Sequence, residues 1–530
     1  MKNYISLLIF FLVFINHLFS QTIIGGVVNN YTPVLSFDVC DNSVTVGDAN
    51  AFSVGDRVMI IQMKGASVDQ TNSSLFGSIQ NINSAGLYEF ANIAAINGNI
   101  ISMVNILINN YNINGKVQLI KVPQYINATV ASTLTCTPWN GTIGGVLSIE
   151  VSGTLSLSAP IDISGRGFRG GNVSANYYSG SLCSTTDYFF STNPGAGGFK
   201  GEGITELPLN MQTGRGRQAN GAGGGNHVNA GGGGGGNITN GGLGGNEWSG
   251  CSNLPIGGVG GQGLSTAINR IYLGGGGGGG QQNNSVSTPG VNGGGIIVIK
   301  ANEIIANSNN ILNNGRSQLL VARHDGAGGG GAGGTTLLDV NIFSGTFGIS
   351  ANGGKGGDTN NDFSSSACHA PGGGGSGGAI YSGITLPVNV SATVNPGVAG
   401  TTVNSGICFN TSYGALSGQP GSSFNNLMIV ESGNPWLSMQ LMATVTNANC
   451  LSNNGEAEII VAGGVGPFTY TWNTSPIQTS SIATNLGVGN YTVIVTDSQG
   501  CMKDTTITIN QTTLPSIVLS KADENCGGSD

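Results

Sequence analysis

Seven glycines stand in succession at residues 274–280, within "IYLGGGGGGGQQNN", and shorter tracts recur at 231–236, 328–331 and 372–375. Glycine loses more backbone freedom on ordering than any other residue and brings no side chain to a core. Such runs behave as flexible tethers unless other contacts offset their entropy. Extended threefold helices of glycine supply one offset, because backbones without Cβ atoms can lie side by side and bond to one another. Where the tracts fall decides between the two uses, since a tether has no reason to recur at one point of a repeat.

A repeat is present. Four stretches of about 24 residues open with Gly-Gly, a period at which each unit buries its apolar face only against stacked neighbours. They are "GGVLSIEVSGTLSLSAPIDISGRG" from Gly144, "GGIIVIKANEIIANSNNILNNGRS" from Gly294, "GGTTLLDVNIFSGTFGISANGGKG" from Gly333 and "GGAIYSGITLPVNVSATVNPGVAG" from Gly377. Their fourth, sixth and eighth positions are Leu147, Ile149, Val151; Ile297, Ile299, Ala301; Thr336, Leu338, Val340; and Ile380, Ser382, Ile384. That alternation predicts a strand with one face turned inward. A second aliphatic position follows at Ile161, Ile311, Ile349 and Val394. Glycine tracts precede three of these strands, which points to architecture for the tracts. The alternative for the long excursion at 168–292 is a set of loops projecting from the coils.

The fold class expected is therefore all-β. Residues 22–142 form a β-rich N-terminal module of short runs such as "DRVMIIQM" and "GKVQLIKVPQY" separated by turn residues. Residues 143–435 form a Gly-rich, β-solenoid-like body with polyglycine segments. Residues 440–511 form an Ig-like β-sandwich, with six β-runs counted from Leu441, Glu456, Phe468, Ser480, Tyr491 and Thr505. Phe468, Tyr470 and Trp472 alternate with threonines and give that repeat an aromatic core face, joined by Tyr491. In an up-and-down arrangement Cys450 and Cys501 lie at one end of it, so a disulfide between them is feasible.

Residues 1–20 read as a secretory signal: one Lys precedes an apolar stretch from Ile5 to Ile15, and small and polar residues follow. No later apolar run reaches membrane-spanning length. Nine cysteines without a CxxC pair fit disulfides in an oxidising compartment. Partners for Cys40, Cys136, Cys183, Cys251, Cys368 and Cys408 stay open. With 17 Lys and Arg in 530 residues and a net charge of -8, the basic footprint of a nucleic-acid binder is missing.

The motifs with chemical associations fare poorly. "GRGFRG" at 165–170 matches GxGxxG, but no helix pattern follows it. Ser376 in "GGSGG" has only His369 nearby as a base and lacks the strand-turn-helix context of a nucleophile elbow. "GGKGGD" at 353–358 resembles a single calcium-binding turn, without the apolar position or the tandem copy. Glu150, Lys300 and Asp339 occupy the seventh positions of three units, where stacking would align them as a structural ion ladder or, as a second reading, a catalytic column. No residue is assigned a catalytic, cofactor-binding or metal-ligating role, no cofactor is expected, and the chain reads as a non-enzyme.

Two resemblances add to this. The segment 447–509, carrying Cys450, "GGVGPFTYTW" ending at Trp472, "NLGVGNYTVIVTD" and Cys501, closely resembles the SprB-type repeat of gliding-motility adhesins and related Bacteroidetes surface proteins. Family members fold as Ig-like sandwiches in tandem, and Cys526 within 515–530 then marks the start of a second, truncated repeat. The Gly-rich body resembles glycine bundles of phage tail-tip adhesins and of some receptor ectodomains. Together they imply a secreted surface adhesin or display protein, gliding-associated and exported by type IX secretion, with glycans or other surface ligands as partners. The runner-up is a polysaccharide lyase or glycoside hydrolase on a β-solenoid.

Overall fold

A computed structural model describes residues 21–512 apart from 175–182, 193, 268, 284–285, 361–366, 404–405, 426, 428 and 450–451. The signal segment, Cys450, Cys526 and the second repeat lie outside the described residues. Two compact units emerge: one from Met1–Ser36, Thr45–Ile101 and Leu107–Ser432, the other from Phe37–Val44, Ser102–Ile106 and Gly433–Asp530.

The first unit is organised by a parallel sheet. Its main row runs through Asn127–Thr135, Val146–Leu157, Ile296–Ile305, Thr335–Ser344, Ala379–Ser382 and Ser422–Phe424. A second row stacks Ile161–Asp162, Ile311–Leu312, Phe347–Ser350 and Val390–Thr393. The register pairs Leu147 with Ile297, Ile297 with Thr336 and Thr336 with Ile380, so the alignment read from the Gly-Gly openings is the alignment of the strands. It departs in the fourth unit. There the strand ends at Ser382, Ile384 is 37% exposed, and Ile349 pairs with Ala392 instead of Val394, because this unit reaches its second strand one residue sooner than the third unit does.

The strands bury both faces, where the repeat alternation predicts one. Leu147, Ile149, Ile297, Ile299 and Leu338 enter one core, while Val146, Ile296, Val298 and Leu337 enter another, against Met59, Ile61 and Tyr88. Covering both faces is the usual condition of parallel sheets and explains the unbroken "IIVI" run. Met59, Ile61 and Tyr88 belong to a closed barrel in the order Tyr31–Asp38, Ser43–Val46, Ile100–Met103, Tyr88–Asn97, Arg57–Gln62, Val117–Lys121. Just past the second row of strands a polar ladder takes over: the Ser164 hydroxyl accepts from the Asn314 amide (3.1 Å), Asn314 Oδ1 from the Asn352 amide (2.7 Å), and Asn352 Oδ1 from the Asn395 amide (2.7 Å).

Beside the sheet, the glycine tracts form a hydrogen-bonded array with a three-residue period. Amides 274, 277 and 280 donate to the carbonyls of Gly294, Val291 and Thr288 at 2.9–3.0 Å. Amides 275 and 278 donate to Gly236 and Gly233, and amides 276 and 279 to Glu202 and Phe199. On the acceptor side, Phe168 and Gly171 donate to carbonyls 274 and 277, Ala332 and Gly329 to 275 and 278, and Ala222 and Gly225 to 276 and 279. The run is thus enclosed by six segments, three taking its protons and three supplying theirs. Much of the 168–292 excursion is built into this array, not projected from it.

The second unit carries two three-stranded antiparallel sheets. Gln440–Thr446, Gly455–Ala462 and Ile482–Leu486 make one, and Thr469–Trp472, Gly489–Thr496 and Met502–Ile509 the other. Six strands match the number of β-runs counted from the sequence, but the third crosses to the second sheet instead of continuing an up-and-down meander. A single core lies between the sheets around Trp472, Ile459, Val493 and Val495.

Candidate functional site

Three arrangements in the first unit combine polar chemistry with access. One is a cavity of about 640 Å³ beside the glycine array, bounded among others by Lys64, Arg169, Asn172, Gln212, Glu202 and Asn292. Glu202 follows "GFKG", whose glycines enter the array, so its backbone is fixed by hydrogen bonds: its carbonyl accepts from the Gly276 amide and its amide donates to the Arg169 carbonyl. Its carboxylate lies 2.6 Å from Lys64 Nζ and 3.0 Å from Arg169 Nε. Burial works against its charge, but Lys64 and Arg169 outweigh burial and hold the carboxyl at about 2. Glu202 is therefore an ionised clamp on two cations, unable to donate a proton near neutral pH.

Lys200 lines the same cavity but turns its ammonium away. Nζ donates to the carbonyls of Tyr188 (2.7 Å), Gly214 (2.9 Å) and Gly216 (2.8 Å) and stands 4.7 Å from the Phe76 ring centre. Burial pushes this lysine well below its ordinary value. The exposed Glu206 carboxylate sits 3.9 Å from Lys116 at the rim.

The second arrangement is the column at Glu150, Lys300 and Asp339. The three are adjacent in register. They do not form an ion ladder: Glu150 pairs with Arg57 at 3.1 Å and accepts from Gln124 at 2.7 Å, while exposed Lys300 joins no ion pair among the described residues. Arg57 also binds Glu431 at 2.6 Å and lies over the Phe90 ring, so the charged centre is Arg57, which the repeat pattern did not single out. A groove of about 370 Å³ beside it is lined by Tyr125, Glu150 and Lys300.

The third is the His324–His369 pair, with ring centres 5.6 Å apart. Burial first, then His324, lowers His369 to about 4, so it is neutral at physiological pH.

The motif residues take structural places. The Ser376 hydroxyl accepts from the Asn237 amide and donates to the Gly377 carbonyl, both at 2.9 Å. Asp358 pairs with Lys355 at 2.6 Å and accepts from the Thr401 amide at 2.8 Å, holding neighbouring coils. Within "GRGFRG", Gly167 donates to Gly293 and Gly170 to Asn292 Oδ1.

In the second unit Trp472 is fully buried and its indole donates to the Ser480 carbonyl at 2.8 Å, while Phe468, Tyr470 and Tyr491 pack partly buried against the same core. Cys501 is bonded to Cys40, which corrects the proposed pairing with Cys450. The partner comes from the segment Phe37–Val44, which folds with this unit: Asn42 Nδ2 donates to the carbonyls of Met103 and Asn105, and Ile106 and Gly433 bond to residues 434 and 106. No local spacing signals a bond across 461 residues. Cys183 pairs with Cys251 and Cys368 with Cys408, and Cys136 is a buried thiol raised to about 12 by desolvation.

Among the described residues no helix is long and apolar enough to cross a membrane. No curated protein matches the sequence. Among solved structures, the Gp54 tailspike of Acinetobacter baumannii bacteriophage AP22, in complex with A. baumannii capsular saccharide, aligns over 82% of this chain and 71% of its own at 10% identity, with a TM-score of 0.14. That score settles neither fold nor ligand. The family model of the SprB repeat matches residues 442–476, spanning the first three strands of the sandwich, and the chain therefore carries a SprB-type repeat.

Proposed function

We propose that this chain is a secreted, cell-surface adhesin or display protein of the gliding-associated kind, exported through a type IX route. In this reading a polyglycine bundle and a β-solenoid-like body present the binding surface, and the Ig-like SprB repeat belongs to the stalk. The observation that carries it is the SprB repeat at residues 442–476, a module of surface proteins. The chain supports it through a composition poor in charge, with 17 Lys and Arg against 25 Asp and Glu in 530 residues, and rich in amides and hydroxyls suited to glycans. Many weak contacts of that kind add up when a surface is displayed in multiple copies.

A hydrolase with Glu202 as its acid is disfavoured at this cavity. Glycoside hydrolysis needs one carboxyl with a raised pKa as proton donor, and Glu202 is shifted the other way. The test is a glycan array run beside a polysaccharide-degradation assay on the same preparation. Binding without release of reducing ends is expected. Turnover without array binding would overturn the proposal.

A further inference from the structure

The cavity at Arg169 and Glu202 permits a more specific statement, which rests on the glycan-binding reading. We propose that it takes an acidic sugar residue, whose carboxylate is held by the outer edge of the Arg169 guanidinium.

The charges supply the first reason. Lys64, Arg169 and Glu202 meet at one wall, two cations against one anion, in a chain whose net charge is -8. Lys200 directs its amine into carbonyls behind the wall; Glu206 also lines the cavity and acts on Arg169, with Lys116 3.9 Å away, so two carboxylates stand against the three cations Lys64, Arg169 and Lys116. One positive charge is left for a ligand.

Arg169 is the cation placed to use it. Its Nε and Nη2 are engaged by Glu202 at 3.0 and 3.4 Å, which fixes the plane of the guanidinium. Nη1 donates to no protein group among the described residues, and the side chain is 53% exposed while Glu202 is 10% exposed. A guanidinium locked along one edge and open along the other is preorganised for a second carboxylate. Glu202 and Lys64 are the positioning residues.

The walls fit a sugar. A volume of about 640 Å³ accommodates one or two pyranose rings within the ordinary range of ligand pockets. Asn172 and Gln212 bring carboxamides that can donate to and accept from hydroxyls. Gly170, Gly171 and Gly290 complete the wall as main chain, their missing Cβ positions filled by the backbones of Gly290, Phe199 and Gly277, so this wall is rigid.

The experiment is calorimetric titration of the whole chain with an oligogalacturonate and with its carboxyl-reduced, neutral counterpart, at low and raised salt. Three proteins are compared: the native chain, Arg169→Gln, and Asn172→Asp, which adds a negative charge to the rim and leaves the Glu202 clamp intact. The acidic probe should bind the native chain at least tenfold more tightly than the neutral one, with affinity falling as salt rises. Asn172→Asp should lower acidic-probe affinity about tenfold with an unchanged melting temperature, and Arg169→Gln should lower it further. Equal binding of both probes, or Asn172→Asp without effect, overturns the acidic-sugar proposal and leaves glycan binding standing. Silence of both probes together with an empty glycan array removes both.

Discussion

The glycine array and the SprB-type sandwich use the same residue for opposite reasons. In the array, glycine is needed for what it lacks: a Cβ built on Gly275 or Gly278 would lie closer than 3.0 Å to the backbone of Asn220 or Gly223. In the sandwich, Gly500 has open space around it and a φ of +85°, a conformation that L side chains rarely adopt. One region is a solid made of main chain, in which amides hold what side chains hold elsewhere. The other is an ordinary core of Trp472, Ile459, Val493 and Val495 closed by turns. Sequence richness in glycine therefore does not by itself mean flexibility, and its meaning depends on whether neighbouring backbones occupy the missing Cβ position.

The most severe test of the contrast is the double substitution Gly275→Ala, Gly278→Ala. Each methyl strikes a main-chain carbonyl that cannot rotate away, and two collisions of about 3 kcal/mol each should remove roughly 6 kcal/mol from the first unit. Chemical denaturation of the full chain should show that unit's transition lost or moved far down while the sandwich transition stays. Trp472→Ala should do the reverse, costing the sandwich about 4 kcal/mol through the cavity it leaves, with the first unit unmoved. Cys40→Ser should lower the sandwich transition by about 3 kcal/mol, and Cys450→Ser should not, since Cys501 is bonded to Cys40.

Acid separates the regions further. His369 is depressed from 6.5 to about 4, so its neutral form stabilises the first unit fully above pH 6.5 and that contribution is lost as pH falls from 6.5 towards 4. Glu202 is depressed from 4.5 to about 2, so its contribution is present above pH 4.5 and lost below it, on the order of 3 kcal/mol once pH 2 is reached. Melting of the first unit should decline in two steps with falling pH, and His369→Gln should erase the upper one. The smallest effect belongs to Gly500→Asn. Asparagine tolerates a positive φ, so the sandwich should lose no more than about 1 kcal/mol. The same change at Gly278 should prevent folding of the array.

Much of the sheet was legible because stacking imposes a strict register on an apolar pattern. The Gly-Gly openings mark where each strand begins, and the columns at Leu147 and Ile149 follow. Legibility ended where a connection changed length, as at Ala392, and where burial came from the far side, as at Ile296 and Val298. The array was visible as composition but not as a list of partners, since glycines carry no side-chain pattern by which one segment selects another. The cavity was hidden for a related reason. Lys64, Arg169 and Glu202 sit in three unrelated stretches and meet only because the array folds. Cys40 and Cys501 are the extreme case of contact without local signal.

Amide hydrogen exchange across residues 274–280, followed by mass spectrometry on the full chain, addresses the lattice itself. Amides bonded on every side within a packed array should exchange only with unfolding of the whole first unit, hours or longer after the exposed loops have equilibrated. Complete exchange of that stretch within seconds, at the rate of an unstructured peptide, would mean that the seven glycines are a tether after all.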